Sequence, residues 1–301
     1  MTAQYATIYV IVNPAAGRGK ADINAILPAL LSSRRLAWEV HRTEGRGHAT
    51  ELARAAAARG VDLVVAAGGD GTANEVASGL VDTEAVLGLM PVGSGNALAR
   101  ALGIPINPAK ALEESLDGDV RAIDVGTVAG RYFFSTAGVG LDAVVSHLYG
   151  DRPGGRRGFL PYLVLTMRAF ASYEPTLTVI TLDDGLEIHT CPTIATVANT
   201  SQFGNGAIIA PGALPDDGLL DLCVIEHTGP LRALWHSRRL FSGTIDRMPG
   251  VRLFRSRGIR ITRPCAGLLQ VDGEALEAPA ALNVELLPRA LRIAVPGGGP
   301  R

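Results

Sequence analysis

The run Gly68-Gly69-Asp70-Gly71-Thr72, followed by Asn74 and Glu75, is the stretch of this 301-residue chain whose residue types best suit chemistry. It follows an apolar, β-branched segment containing Val61, Leu63, Val64 and Val65, which reads as a buried parallel strand. Glycines at the C-terminal end of such a strand let the backbone turn sharply and approach a ligand closely. Residues 74–77 have helical character, so free backbone N–H groups at a helix start would face an anion, most naturally the phosphates of a nucleotide. A carboxylate there, Asp70, makes sense if Mg²⁺ lies between it and the phosphates. A tight turn with glycine for geometry and aspartate as a cap is the plainer reading of a lone G-G-D-G.

A second turn repeats the logic. Residues 86–90 read as a buried strand, followed by Pro91-Val92-Gly93-Ser94-Gly95-Asn96-Ala97. Two glycine turns at the carboxyl edge of one parallel sheet lie where ligands bind in α/β folds. The first strand, 7–12, ends in Asn13-Pro14-Ala15-Ala16-Gly17-Arg18-Gly19-Lys20. This is not a Walker A loop, because Pro14 stands where glycine is needed and Ala21 where Ser or Thr is needed. Two further acids, Asp272 and Glu274, flank Gly273 in a turn able to aim both outward, although a D-G turn with a solvated Glu is the commoner arrangement. Asp216-Asp217-Gly218 suits either a hard cation with oxygen ligands or a solvated β-turn.

The elements that must position these residues alternate regularly at first. A helix to about residue 33 carries Leu27, Leu30 and Leu31 on one face. A strand over 36–41 is followed by Thr43, an Ala-rich helix spans 48–59, and a helix runs on from Glu75 to Leu80. The order β-α-β-α-β-α-β-α up to about Arg121 predicts a three-layer α/β domain. Beyond it, strands are predicted at 122–128, 132–137, 176–182, 187–199, 206–210 and 219–226, with a turn at Ala129-Gly130 and an apolar helix from 159 to about 173. The expected division is 1–122, α/β, and 123–301, an antiparallel β-sandwich-like domain, with a site in the cleft between them.

Hydrophobic content of 47% and charged content of 19% describe a globular chain with ample core, and a net charge of −1 argues against bulk attraction to nucleic acid. No run of about 18 apolar residues is present, and the N-terminus leads directly into a strand without a basic segment, so neither a membrane span nor a signal peptide is expected. Cys191, Cys223 and Cys265 are too dispersed for a metal site and read as buried thiols of a reducing compartment. The six histidines show no ligand spacing.

The full G-G-D-G-T-x-N-E, together with N-P-x-x-G, G-S-G-N-A-L-A, P-x-A-x-x-D-D-G-x-L-x-L and V-D-G-E in that order, resembles the diacylglycerol kinase catalytic superfamily, from Val10 to about Pro296. The G-S-G-N-A-L-A wording is similar to the sphingosine kinase variant, since Ala97 stands where bacterial diacylglycerol kinases more often have Asp. The resemblance implies an ATP-dependent, Mg²⁺-requiring lipid kinase. It implies Asn13, Thr43, Gly68, Gly69, Asp70, Gly71, Thr72, Asn74, Glu75, Ser94, Gly95 and Asn96 at the nucleotide. Asp272 and Glu274 would act on the acceptor hydroxyl, either one as base. A structural Mg²⁺ would be held by the Asp217 carboxylate and the carbonyls of Leu214 and Leu219. The chain is expected in the cytoplasm, transiently at the inner membrane face, and its oligomeric state is open, a homodimer included. The alternatives are an NAD kinase, which shares G-G-D-G, and a catalytically silent lipid-binding protein on the same fold.

Residues 232–263 carry nine arginines against one acid, Asp246, which leaves the segment at +8, with Trp235, Phe241 and Phe254 interleaved. The expectation is that Arg238, Arg239 and Arg255 help dock the protein on anionic lipid. The plain reading is a helix whose Leu231, Leu234, Trp235 and Leu240 face a core while the arginines meet solvent or pair with acids.

Overall fold

The computed structural model describes residues 5–16, 22–34, 36–150, 159–204, 206–227 and 238–298. Gly17 to Ala21 of the first motif, the loop 151–158, Asn205, Leu231, Arg232, Leu234 and Trp235 lie outside the described residues. Two compact units divide the chain: Met1–Ile123 with Arg289–Arg301, and Asp124–Pro288. The first unit thus ends at Ile123 on the outward path and takes up the chain again at Arg289.

In the first unit the strands β1 (Thr7–Val12), β2 (Ala37–Arg42), β3 (Leu63–Gly68) and β4 (Val86–Pro91) form a parallel sheet in the order β2-β1-β3-β4. All six residues of β3 and of β4 are buried, as expected for parallel strands covered on both faces, whereas the edge strand β2 is half-buried or exposed. Helices α1 (Ile23–Leu31), α2 (His48–Ala58), α3 (Asp70–Leu80), α4 (Ala97–Ala101) and α5 (Pro108–Asp117) connect or follow the strands. The Asp22 carboxylate caps α1 through Ala25 N, and the Asn107 side chain caps α5 through Ala109 N and Lys110 N. Leu27 and Leu31 join Val10, Leu63, Val65, Met90 and Leu112 in one core.

The glycine motif differs from its expected form. Strand β3 runs through Gly68 and α3 already begins at Asp70, so Gly69 alone is the junction and Gly71-Thr72 lie in the first helical turn. Gly71 is not among the positive-φ residues. What demands glycine here is close approach: a Cβ on Gly68 would sit 2.3 Å from the Thr72 Cβ.

The second unit is built from β5 (Asp119–Val128, entering at Asp124), β6 (Arg131–Phe133), β7 (Thr136–Gly140), β8 (Thr178–Leu182), β9 (Glu187–Thr190), β10 (Pro192–Ala198), β11 (Gln202–Gly204), β12 (Ala207–Ile208), β13 (Leu220–Glu226), β14 (Val251–Ser256), β15 (Gly258–Thr262), β16 (Gly267–Val271), β17 (Glu274–Ala278) and the first part of β18 (Ala281–Val295). One sheet, β14-β13-β10-β7-β16-β17, is antiparallel throughout. Across from it run β18-β15-β8-β9, also antiparallel. Phe133, Ile180, Val197, Leu222, Ile259, Leu269 and Leu282 from both layers form one core, a β-sandwich. The last residues of β18 leave this unit and pair in parallel with β4, Ile293 opposite Leu87. Every strand from β14 onward, and helix α6 (Leu141–Gly150), go beyond the sequence expectations, while α7 (Phe159–Ser172) was expected. The cysteine expectation holds only for Cys223, since Cys191 and Cys265 are exposed.

Candidate functional site

The loops after β1, β3 and β4 are tied together in the first unit. Asn13 donates from its backbone to Ala67 O (3.0 Å) and from its side-chain amide to Thr72 Oγ1 (3.0 Å), linking the first loop to the start of α3. Gly69 meets Gly93 backbone to backbone: a Cβ on Gly93 would lie 2.7 Å from the Gly69 Cα. Asp70 completes the bracket. Its carboxylate accepts from Asn96 N (2.8 Å) and Ala97 N (2.5 Å), capping α4, and a Cβ on Gly95 would lie 2.5 Å from Asp70 Oδ2. Asn96 is buried in the left-handed region (φ 53) and donates to Gly93 O, while Ser94 is exposed. Asp70 is half-buried, with both oxygens accepting from the second turn.

Thr43 follows β2 and donates its backbone N–H to Val12 O (2.9 Å), which places it beside the first loop. Glu75 serves this side too. Its carboxylate accepts from Gly47 N (3.0 Å) and Ala49 N (3.2 Å), and Thr50 Oγ1 donates to its carbonyl. Helix α2 begins at Gly47, which has no side chain to cap it, so Glu75 of α3 supplies the missing acceptor. Asn74 is half-buried in α3. The motif residues thus hold four strand-end loops in register, with the first N–H groups of the eleven-residue α3 at their centre.

In the second unit the late acids separate. Asp272 and Gly273 form the two-residue hairpin turn between β16 and β17, both with positive φ (46° and 84°), the geometry that selects Asp-Gly. The Asp272 carboxylate turns inward and accepts from Phe134 N, Ser135 N and Thr136 N, each at 2.9 Å. It holds the β6–β7 turn. Glu274 is half-buried, with Oε2 3.1 Å from the Arg131 guanidinium. No local sequence signal marks Arg131, because only the tertiary fold brings it to Glu274.

Asp142, the acid that ends the segment Gly138-Val139-Gly140-Leu141-Asp142, stands at the start of α6. It is 3% exposed, accepts from Thr196 Oγ1 (3.0 Å), and burial pushes its carboxyl up to about 6 despite that hydroxyl and the helix-start amides, which pull it down. Gly138 is required beside it, since a Cβ there would lie 2.3 Å from Asp142 Oδ2.

The Asp-Asp-Gly loop precedes β13. Asp217 pairs with Arg255 and accepts from Leu219 N (3.1 Å), and Leu214 is exposed. Arg255, one of the arginines expected at a membrane, pairs with this loop. Arg252 pairs with Glu226 (3.1 Å), and Arg263 donates to the carbonyls of Leu268, Ala278 and Pro279. Phe241 is exposed.

Comparison with known proteins agrees with this arrangement. The diacylglycerol kinase catalytic domain matches residues 7–128, and the YegS C-terminal NAD kinase beta sandwich-like domain matches residues 135–295. A "Probable lipid kinase YegS-like" protein of Pseudomonas fluorescens is 32% identical over 295 residues, 94% of this chain and 94% of that one. A diacylglycerol kinase of Bacillus subtilis is 35% identical over 225 residues, 72% of this chain and 73% of that one. A Bacillus anthracis crystal structure named as a candidate diacylglycerol kinase superposes with a TM-score of 0.82 at 25% identity, covering 98% of this chain and 97% of that one. An Archaeoglobus fulgidus NAD kinase shares the fold alone, at 13% identity and a TM-score of 0.51, over 95% of this chain and 93% of that one. With both domains matched in order, the chain belongs to the lipid kinase family of YegS and the diacylglycerol kinases.

Proposed function

We propose that the protein transfers the γ-phosphoryl group of Mg-ATP to a hydroxyl of a membrane lipid of the diacylglycerol or sphingoid kind. The observation that carries this reading is the bracket of glycine turns, in which Asp70 ties the start of α3 to the turn after β4. The bare backbone at Gly68, Gly69, Gly93 and Gly95 lets the two turns and the start of α3 pack closely together, and that helix start supplies N–H groups to phosphate oxygens. These residues fit a nucleotide. Mg²⁺ would arrive with it, neutralising charge as the transition state spreads it over the phosphoryl oxygens.

On the acceptor side, Glu274 is the group left to act as base, because Asp272 is spent on three amides. The Glu274 carboxylate takes the proton of the lipid hydroxyl as its oxygen bonds to the γ-phosphorus. The bond from that phosphorus to the bridging oxygen breaks, and ADP leaves with the electron pair. Arg131 holds the Glu274 side chain in place through its guanidinium. The deciding experiment supplies γ-labelled ATP and Mg²⁺ with a total lipid extract in one arm and NAD in the other. Label in an extracted lipid supports the proposal. Label in NAD alone replaces it with the NAD kinase reading, and label in neither with the silent lipid-binding reading.

A further inference from the structure

We propose that the guanidinium of Arg255 acts as a built-in cation in the 214–219 loop, taking the place at which family resemblance implies a structural Mg²⁺. The inference rests on family membership and is independent of the catalytic reading.

The residues expected to hold the ion do not fit a free divalent cation. Mg²⁺ needs near-octahedral oxygen ligation, and the only side-chain ligand implied is the Asp217 carboxylate. One of its oxygens is ion-paired with Arg255 and the other accepts from Leu219 N at 3.1 Å. The same guanidinium brings its Nε to 3.5 Å from Asp221 Oδ2, in a side chain only 7% exposed. Arg255 arrives there by strand register: it stands directly opposite Asp221 in the β13–β14 pair. A planar, permanently charged fork suits two carboxylates at once. A divalent ion at the Asp217 carboxylate would sit against that positive charge, and the repulsion must be relieved by expelling the arginine.

The rest of the loop is already closed by hydrogen bonds. Asp124, fully buried, donates from its backbone to Pro215 O (2.6 Å) and accepts at Oδ2 from Gly218 N (2.8 Å), so it grips both sides of the Asp216-Asp217 pair.

Thermal unfolding of the nucleotide-free protein, in EDTA and then with millimolar Mg²⁺ or Ca²⁺, tests this. Wild type is expected to shift by less than about 1 °C, and Arg255→Gln to lose stability in EDTA and regain several degrees, of order 3 °C or more, with either ion. Adding Asp217→Asn to that variant should abolish the regained ion response. A wild-type rise of several degrees that Asp217→Asn cancels would overturn the proposal, as would an Arg255→Gln protein as stable as wild type with no ion response. If Arg255→Gln folds only when ions are present, the proposal is supported; if it folds under neither condition, the wild-type comparison decides.

Discussion

Asp272 and Glu274 stand two residues apart yet are spent differently, and substitution should separate them. Glu274→Gln keeps shape and removes basicity; a loss of about 10²–10⁴-fold in kcat is expected with the KM for ATP little changed. Its ion pair with Arg131 joins two partly exposed side chains, so stability should change by less than about 1 kcal/mol. A fall confined to ATP affinity would remove Glu274 from the acceptor side. Asp272→Ala strips three backbone amides of their acceptor and should cost about 1–3 kcal/mol in urea unfolding. Asp142 gives a pH signature. Its folded-state pKa, about 6, lies above the ordinary value of 3.8, so the stability contributed by its neutral form is fully present below pH 3.8 and is lost as pH rises through 6. Relative to wild type, Asp142→Asn should therefore gain stability between pH 4 and pH 7, by about 2–3 kcal/mol across that window. A difference that stays flat with pH would show that Asp142 does not titrate there.

At the scale of elements, the helix starts depend on acceptors borrowed from elsewhere in the chain. Helix α4 is capped by Asp70 and α2 by Glu75, each from more than 20 residues away. Gly93→Ala would push a methyl group to 2.7 Å from the Gly69 Cα, prising the two turns apart. The expected result is a destabilisation of about 1–3 kcal/mol together with loss of ATP binding by calorimetry. Gly71→Ala, by contrast, adds a methyl group in the first turn of α3 with no φ penalty, and the protein should fold as well as wild type. If both variants bind ATP like wild type, the bracket does not shape the nucleotide site.

At the scale of the molecule, the proposed reaction has its acceptor in a bilayer, and among the described residues no helix is long and apolar enough to cross one. The arginine-rich segment is only partly available for such contact, because Arg252, Arg255 and Arg263 hold internal partners. Arg247, Arg257 and Arg260 are exposed. Their combined change to Gln should weaken sedimentation with anionic vesicles, most visibly at low salt, while activity on detergent-dispersed, short-chain lipid survives. Unchanged vesicle binding would place the membrane face elsewhere.

What could be read from the chain alone was what is encoded locally. Buried strands, glycine junctions and the Asp-Gly hairpin announce themselves within a few residues, because β-branched runs, missing side chains and positive φ are local constraints. The order of the motifs likewise identified the family without any coordinates. Partners were not legible, since a carboxylate in a sequence does not reveal which amide or guanidinium it will meet. Whether Asp70 and Glu75 face a ligand or cap a distant helix, whether Asp272 points out or in, and whether Asp217 meets an ion or Arg255 are decided by contacts between residues 26 to 138 positions apart. The long strand β18 is the same case on a larger scale: no local signal predicts it, and only tertiary pairing brings Ile293 beside Leu87 and returns the chain end to the first unit.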